Sequence, residues 1–207
     1  MFFQWLKRYM PRSLYGRAAL ILMSTLWATL AAAQAFCAAE GAHFLSPFDD
    51  DDVIEGQASV AVEIEAQLGR LPDHVILPVG GGGLSSGVVS YFGDRCRYTF
   101  VEPKGAPSLA CALAAGAPVD VSPINNFVDG AAVAKIGERT FARLRGVDPA
   151  DVIDLSEDRI CVTINEMLNV EGIVLEPAGA LSIDALGEVA DKVRGQTVVC
   201  VLSLIHY

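Results

Sequence analysis

The feature that most constrains this chain is Gly80-Gly81-Gly82-Gly83, an unbroken glycine run set between an apolar β-rich stretch and a helical one. His74-Val75-Ile76-Leu77-Pro78-Val79 reads as a buried strand, and Leu84 to Phe92 as the following helix. Four glycines cost far more backbone entropy than a turn requires, so the run implies a specific demand on the backbone. Without Cβ atoms, successive N–H groups can crowd around an anion at the positive end of the next helix. Hydrogen bonds to a charged acceptor contribute roughly 1.5–3 kcal/mol each, so three or four would hold a phosphate ester at about micromolar strength without a lysine.

Several phosphate and catalytic loops compete for this stretch. A dinucleotide fingerprint wants glycine at positions one, three and six; Gly80 and Gly82 fit, Ser85 takes the third place, and Glu102 stands at the end of the next strand, where a ribose carboxylate belongs. A nucleophile elbow, G-x-S-x-G, is met literally by Gly83-Leu84-Ser85-Ser86-Gly87, with His206 later in the chain. That reading suffers because the other glycines intervene between strand and serine. A P-loop is excluded, since no G-K-[ST] closes the run.

Beyond the loop, strand-like and helical stretches alternate, which predicts a parallel sheet covered by helices. Strands are expected at Tyr98–Val101, Val152–Leu155 and Thr197–Leu202, with a short one at His43–Leu45 after an alanine-rich helix closed by Gly41. Helices are expected at Ser108–Ala115, closed by Gly116, at Asp129–Leu144, after Ser156 as N-cap, and at Pro177–Ala190. The acidic run Asp49–Asp52 reads as solvent-facing and helix-start residues rather than a metal site. The 207 residues suffice for one sizeable core. Five widely spaced cysteines, with no C-x-x-C pair, read as buried thiols in a reducing compartment. Residues 1–39 carry Lys7, Arg8, Arg12 and Arg17 and no acid, so all 25 acidic side chains fall in the body that follows. Such a body repels nucleic acid. The uncharged stretch 18–39 is long enough to cross a bilayer, although its alanine-rich second half also suits a soluble helix or a signal-peptide core. The expected organisation is a basic, apolar head over residues 1–30, foreign to the rest or a membrane segment, and a partial catalytic domain over 31–207.

Motifs in register then point to one family. Val79-Gly80-Gly81-Gly82-Gly83-Leu84 resembles the phosphate-binding loop of threonine dehydratases, in the tryptophan-synthase-like group of pyridoxal phosphate enzymes. Pro47-Phe48-Asp49 with Val53-Ile54 and Gly56-Gln57, Val101-Glu102-Pro103, Phe127-Val128-Asp129-Gly130 with Lys135-Ile136-Gly137, and Leu175-Glu176-Pro177-Ala178-Gly179-Ala180 resemble further family segments in the same order. The resemblance covers about residues 31–203.

This resemblance implies a three-layer α/β fold, an incomplete version of the tryptophan synthase beta-like architecture with helices on both faces of a parallel sheet. It implies pyridoxal 5′-phosphate as cofactor, with Gly80, Gly81, Gly82, Gly83 and Leu84 on the phosphate, Gly130 beside the ring and Ser203 at the pyridine nitrogen. Glu102 resembles an acid of a divalent-cation site in some relatives, but Ser108 stands where the partner acid belongs, so no metal is expected. The implied reaction is β-elimination of L-threonine or L-serine to a 2-oxo acid and ammonia, in branched-chain amino-acid metabolism. It needs a Schiff-base lysine in an S-F-K-x-R context, and none of Lys7, Lys104, Lys135 or Lys192 has one; Lys135 matches an ordinary helical lysine. No catalytic residue is therefore assigned, and the chain is expected to be inactive alone. The expected partner is a small amino acid, the expected location cytoplasmic, and a family-like homo-oligomer fits the exposed core of a partial sheet. Two alternatives from other classes are a membrane-anchored, non-catalytic binder of a phosphorylated ligand and a nucleotide-binding oxidoreductase.

Overall fold

The computed structural model describes residues 28–203, and the chain divides between Pro47 and Phe48 into two compact units. In the first, α1 (Ala28–Glu40) is rich in alanine, the best helix former. Gly41 ends it in the left-handed conformation, at φ 62°, and the Ala42 N–H closes back on the Cys37 carbonyl at 2.9 Å. Cys37 is buried, and its thiol points to the His43 carbonyl at 3.8 Å. The strand expected at His43–Leu45 does not form, because every ladder of the described sheet joins other segments. Most of the 1–30 head and the first ten residues of the 18–39 stretch lie outside the described residues. Among the described residues, no helix is long and apolar enough to cross a membrane.

The second unit begins with α2 (Asp51–Leu68), whose N-cap Asp50 accepts the Asp52 N–H at 2.9 Å; Asp51 and Asp52 lie in the first turn, where negative charge is favoured. There follow β1 (His74–Pro78), α3 (Gly83–Phe92), β2 (Arg97–Pro103), α4 (Ser108–Ala115), α5 (Glu138–Leu144) and β3 (Val152–Leu155). Then come α6 (Ile160–Glu166) continued by a π-helical turn (Met167–Glu171), α7 (Pro177–Val189) and β4 (Val198–Cys200). The strands form one parallel sheet in the order β3-β2-β1-β4, with His74 opposite Arg97 on one side and Val198 on the other.

Side chains along a strand alternate between faces, and this alternation builds the layers. Val75, Leu77 and Phe100 pack with Ala61 of α2, Val88 and Phe92 of α3, Leu109 of α4, and Phe141 and Leu144 of α5. Ile76 and Val101, one residue out of step, pack instead with Ile160 of α6 and Leu181, Ala185 and Val189 of α7. Each buried aliphatic or aromatic side chain contributes about 1.5–3 kcal/mol, so the strands β1 and β2 anchor both layers. The fold is the three-layer α/β arrangement expected from the alternating pattern.

Three local expectations change. Asp129–Leu144 is not one helix: only Glu138–Leu144 is, and residues 129–137 run as turns, bends and irregular chain. Val128, Ala131, Ala132, Val133, Ala134 and Ile136 are all buried there, so no helical stripe of exposed residues could exist. Lys135 is accordingly not helical; it sits exposed in a bend and pairs with Glu138 at 2.9 Å. The cysteines are free thiols, but only Cys37 is buried, and Cys161 is exposed.

Candidate functional site

All four strands are parallel, so their carboxyl ends share one edge of the sheet, the edge where ligands bind in open α/β folds. Pro78 of β1, Pro103 of β2, Leu155 of β3 and Cys200 of β4 end there. β1 is flanked by β2 and β4, so the glycine run leaves the sheet beside the segment that leads from β4 to Ser203. Gly82 caps α3 at φ 88°, a conformation that disfavours any side chain. Among the described residues, the N–H groups of Gly80 through Ser85 meet no protein acceptor. Six successive donors at the positive end of a helix are thus left open to an anion.

The carbonyls of the same loop are tied down. Ser108, the first residue of α4, donates its hydroxyl to the Gly80 carbonyl at 3.1 Å. Thr140, in the first turn of α5, donates its hydroxyl to the Gly81 carbonyl at 2.8 Å, which also accepts the Gly137 N–H at 3.4 Å. The space a side chain would need is filled by protein. A Cβ on Gly81 would lie 2.2 Å from the Phe48 ring, one on Gly83 would lie 3.1 Å from the Phe48 Cα, and one on Gly80 would lie 3.0 Å from the Ala131 Cα. Glycine here therefore serves close packing beneath the loop as well as the open N–H face above it.

The remaining predicted segments meet the loop through further glycines. Gly80 abuts Gly130 and Ala131; a Cβ on Gly130 would meet the Ala178 Cβ at 2.9 Å; one on Gly179 would strike the Ser203 carbonyl oxygen at 2.1 Å. The Glu176 N–H donates to that same Ser203 oxygen at 3.3 Å. A continuous line of close packing thus runs from Gly80 through Gly130 and α7 to Ser203. The structure brings together Gly80–Leu84, Gly130 and Ser203, with Gly130 exposed and Ser203 half-buried. Of the lysines, Lys104, Lys135 and Lys192 are exposed, and Lys7 lies outside the described residues.

Two residues weighed for other loop chemistries take structural roles. Glu102 is fully buried, and its carboxylate accepts the Leu109 N–H at 2.6 Å and the Ala110 N–H at 2.9 Å, while the Ser108 hydroxyl at 3.3 Å shares its one proton between this carboxylate and the nearer Gly80 carbonyl. It caps α4 and is not available to a ribose. Burial pushes its pKa up to about 7, against the opposing pull of those donors. Ser85 is buried, with its hydroxyl toward the Pro78 carbonyl at 3.5 Å, so the nucleophile-elbow geometry is absent. Among the described residues, no group of three acidic, histidine or cysteine side chains could hold a metal.

The acidic run holds a surprise. Asp50 and Asp52 behave as helix-start residues, but Asp49 reaches across to α5 and accepts the Arg139 N–H at 2.7 Å, the Glu138 N–H at 3.1 Å and the Thr140 N–H at 3.2 Å. Asp51 pairs with Arg139 and with Arg143, the latter at 2.6 Å. Sequence reasoning missed Asp49, Thr140 and the Ser108 hydroxyl. Ser108 carried a local signal as a helix-start serine, whereas the Asp49 and Thr140 contacts are long-range and left none.

The family model described as pyridoxal-phosphate dependent enzyme matches residues 13–203. The biosynthetic L-threonine dehydratase of Mycobacterium tuberculosis is 44% identical over 167 residues, which is 79% of this chain and 39% of that protein. Its counterpart in Bacillus subtilis is 44% identical over 170 residues, 81% of this chain and 40% of that protein. The chain thus spans about two fifths of the length of these relatives. Among solved structures, the processed form of threonine deaminase isoform 2 from Solanum lycopersicum superposes with a TM-score of 0.77 at 32% identity, covering 84% of this chain and 52% of that one.

Proposed function

Because the chain belongs to the pyridoxal-phosphate dependent enzyme family, we propose that its glycine loop holds the phosphate of pyridoxal 5′-phosphate and that it is part of a threonine dehydratase catalytic domain. The observation that carries this reading is the row of unpartnered N–H groups from Gly80 to Ser85 at the start of α3. Their number and placement suit a dianionic phosphate and leave no place for a dinucleotide's ribose acid, since Glu102 is already engaged by α4.

In this role Gly80, Gly81, Gly82, Gly83 and Leu84 bind the phosphate. Gly130 offers a side-chain-free surface beside the ring. Ser203 offers a neutral hydroxyl to the pyridine nitrogen, which suits elimination better than transamination because a neutral partner leaves that nitrogen largely unprotonated. When bound, the cofactor supplies an electron sink for the substrate Cα, so that the β-hydroxyl of threonine leaves as water and the products are a 2-oxo acid and ammonia. Removal of the Cα proton requires a base, and none of Lys104, Lys135 and Lys192, all exposed, stands in the S-F-K-x-R context that the family resemblance calls for. The chain alone is therefore expected to bind the cofactor phosphate and not to turn over threonine. The amino-acid substrate of the catalytic domain to which it belongs is threonine or serine.

Titrating the full chain with pyridoxal 5′-phosphate, with inorganic phosphate as competitor, tests the cradle. Saturable binding displaced by phosphate is expected; absence of binding would overturn the reading. Assaying 2-oxobutyrate formation from threonine tests the rest: no turnover is expected, and turnover abolished by substituting one of the four lysines would overturn the inactivity.

A further inference from the structure

The glycine loop is held by two helix starts built alike. α4 begins with Ser108, and its first turn is capped by the Glu102 carboxylate from the end of β2. α5 carries Thr140 in its first turn, capped by the Asp49 carboxylate from the segment before α2. Each helix then sets one hydroxyl against the loop, and the nearer acceptors are consecutive: the Gly80 carbonyl at 3.1 Å from Ser108, ahead of Glu102 at 3.3 Å, and the Gly81 carbonyl at 2.8 Å from Thr140, ahead of the Gly137 carbonyl at 3.1 Å.

Peptide geometry turns these grips into an orientation. In a trans peptide the carbonyl of one residue and the N–H of the next point in opposite directions within one plane. A Gly80 carbonyl fixed toward α4 directs the Gly81 N–H away from α4. A Gly81 carbonyl fixed toward α5 directs the Gly82 N–H away from α5. Glycine peptides are otherwise the freest in the chain, and a flipped peptide would present a carbonyl, not a donor, to an anion. Neither hydroxyl needs to touch a ligand.

From this we infer that Ser108 and Thr140 are positioning residues of the anion cradle, holding the Gly81 and Gly82 N–H groups toward the bound phosphate, with Glu102 and Asp49 fixing the helix starts that carry them. The inference rests on the phosphate reading of the loop. Preorganisation of this kind removes an ordering cost from binding, so its loss lowers affinity without removing any direct contact.

The test uses the full chain, ¹⁵N-labelled, titrated with inorganic phosphate while the Gly81 and Gly82 amide resonances are followed. The variants are Ser108→Ala, Thr140→Val, which keeps the shape and loses the hydroxyl, and Thr140→Ser, which keeps the hydroxyl. Loss of either hydroxyl is expected to weaken phosphate binding about tenfold, the effect of roughly 1.4 kcal/mol, and to shrink the two amide shifts, while Thr140→Ser stays within about twofold of the parent. Parent-like affinity and shifts in Ser108→Ala and Thr140→Val would overturn the inference and leave the loop reading intact. Failure of the parent to bind phosphate through these amides would overturn the loop reading itself, and the inference with it. Should Thr140→Val fail to fold, Ser108→Ala decides, since it deletes one oxygen and adds no atom.

Discussion

At the α4 corner of the glycine loop the capping acid, Glu102, comes from a central strand and is fully buried, whereas at the α5 corner Asp49 comes from a loop, beside the exposed pairs of Asp51 with Arg139 and Arg143. The parts are the same: a carboxylate on helix N–H groups and a hydroxyl on a glycine carbonyl. Their surroundings differ, and so does the way each holds. The buried corner rests on a few strong bonds in a medium that penalises charge, which ties it to pH. The exposed corner rests on several bonds and on the Phe48 ring wedged under Gly81.

The largest effect should come from the buried corner. A carboxyl whose folded pKa stands near 7 and whose ordinary value is 4.5 keeps its proton longer when folded. Across that window the folded state binds more protons than the unfolded one, so stability should fall as pH rises from about 4.5 to about 7 and then level off, by about 3 kcal/mol. Denaturant midpoints against pH would show it, and Glu102→Gln should flatten the slope; an unchanged slope would remove the distinction between the corners.

Next in size is Gly81→Ala. The new Cβ would overlap the Phe48 ring, and the strain is expected to cost about 2 kcal/mol. Combining it with Phe48→Leu should recover part of the loss, a coupling a double-mutant cycle measures directly. Asp49→Ala removes the α5 cap and is expected to cost about 1 kcal/mol, visible as a lower thermal midpoint. The smallest effect belongs to Arg143→Ala: an exposed ion pair with Asp51 is screened by salt, so at high ionic strength its midpoint should match the parent's.

The two corners also show what a sequence can reveal. β1, the glycine run, α3, α4 with its Gly116 stop, and α7 were legible because local pattern and capping residues agree with the fold. So was the placement of the glycine run between β1 and α3, at the carboxyl edge of the sheet. Residues 129–137 misled because the alanines there favour a helix locally, whereas the fold uses their small size to bring a turn of the backbone against Gly80. Asp49 looked like one of four similar acids; its role depends on a helix almost ninety residues away, with 89 separating it from Glu138. Nothing in the neighbourhood of either residue records that pairing.

One consequence of the sheet order concerns time. β4 docks beside β1, and the link from Asp73 to Thr197 spans 124 residues, while β1 and β2 meet through a single short crossover. Closing so long a loop carries an entropy cost that no early local contact offsets, so such pairings form late in folding. The glycine cradle, set by β1 and its neighbours, should be assembled first, and the Ser203 side of the site should lock last, making its arrival a natural reporter of the completed fold.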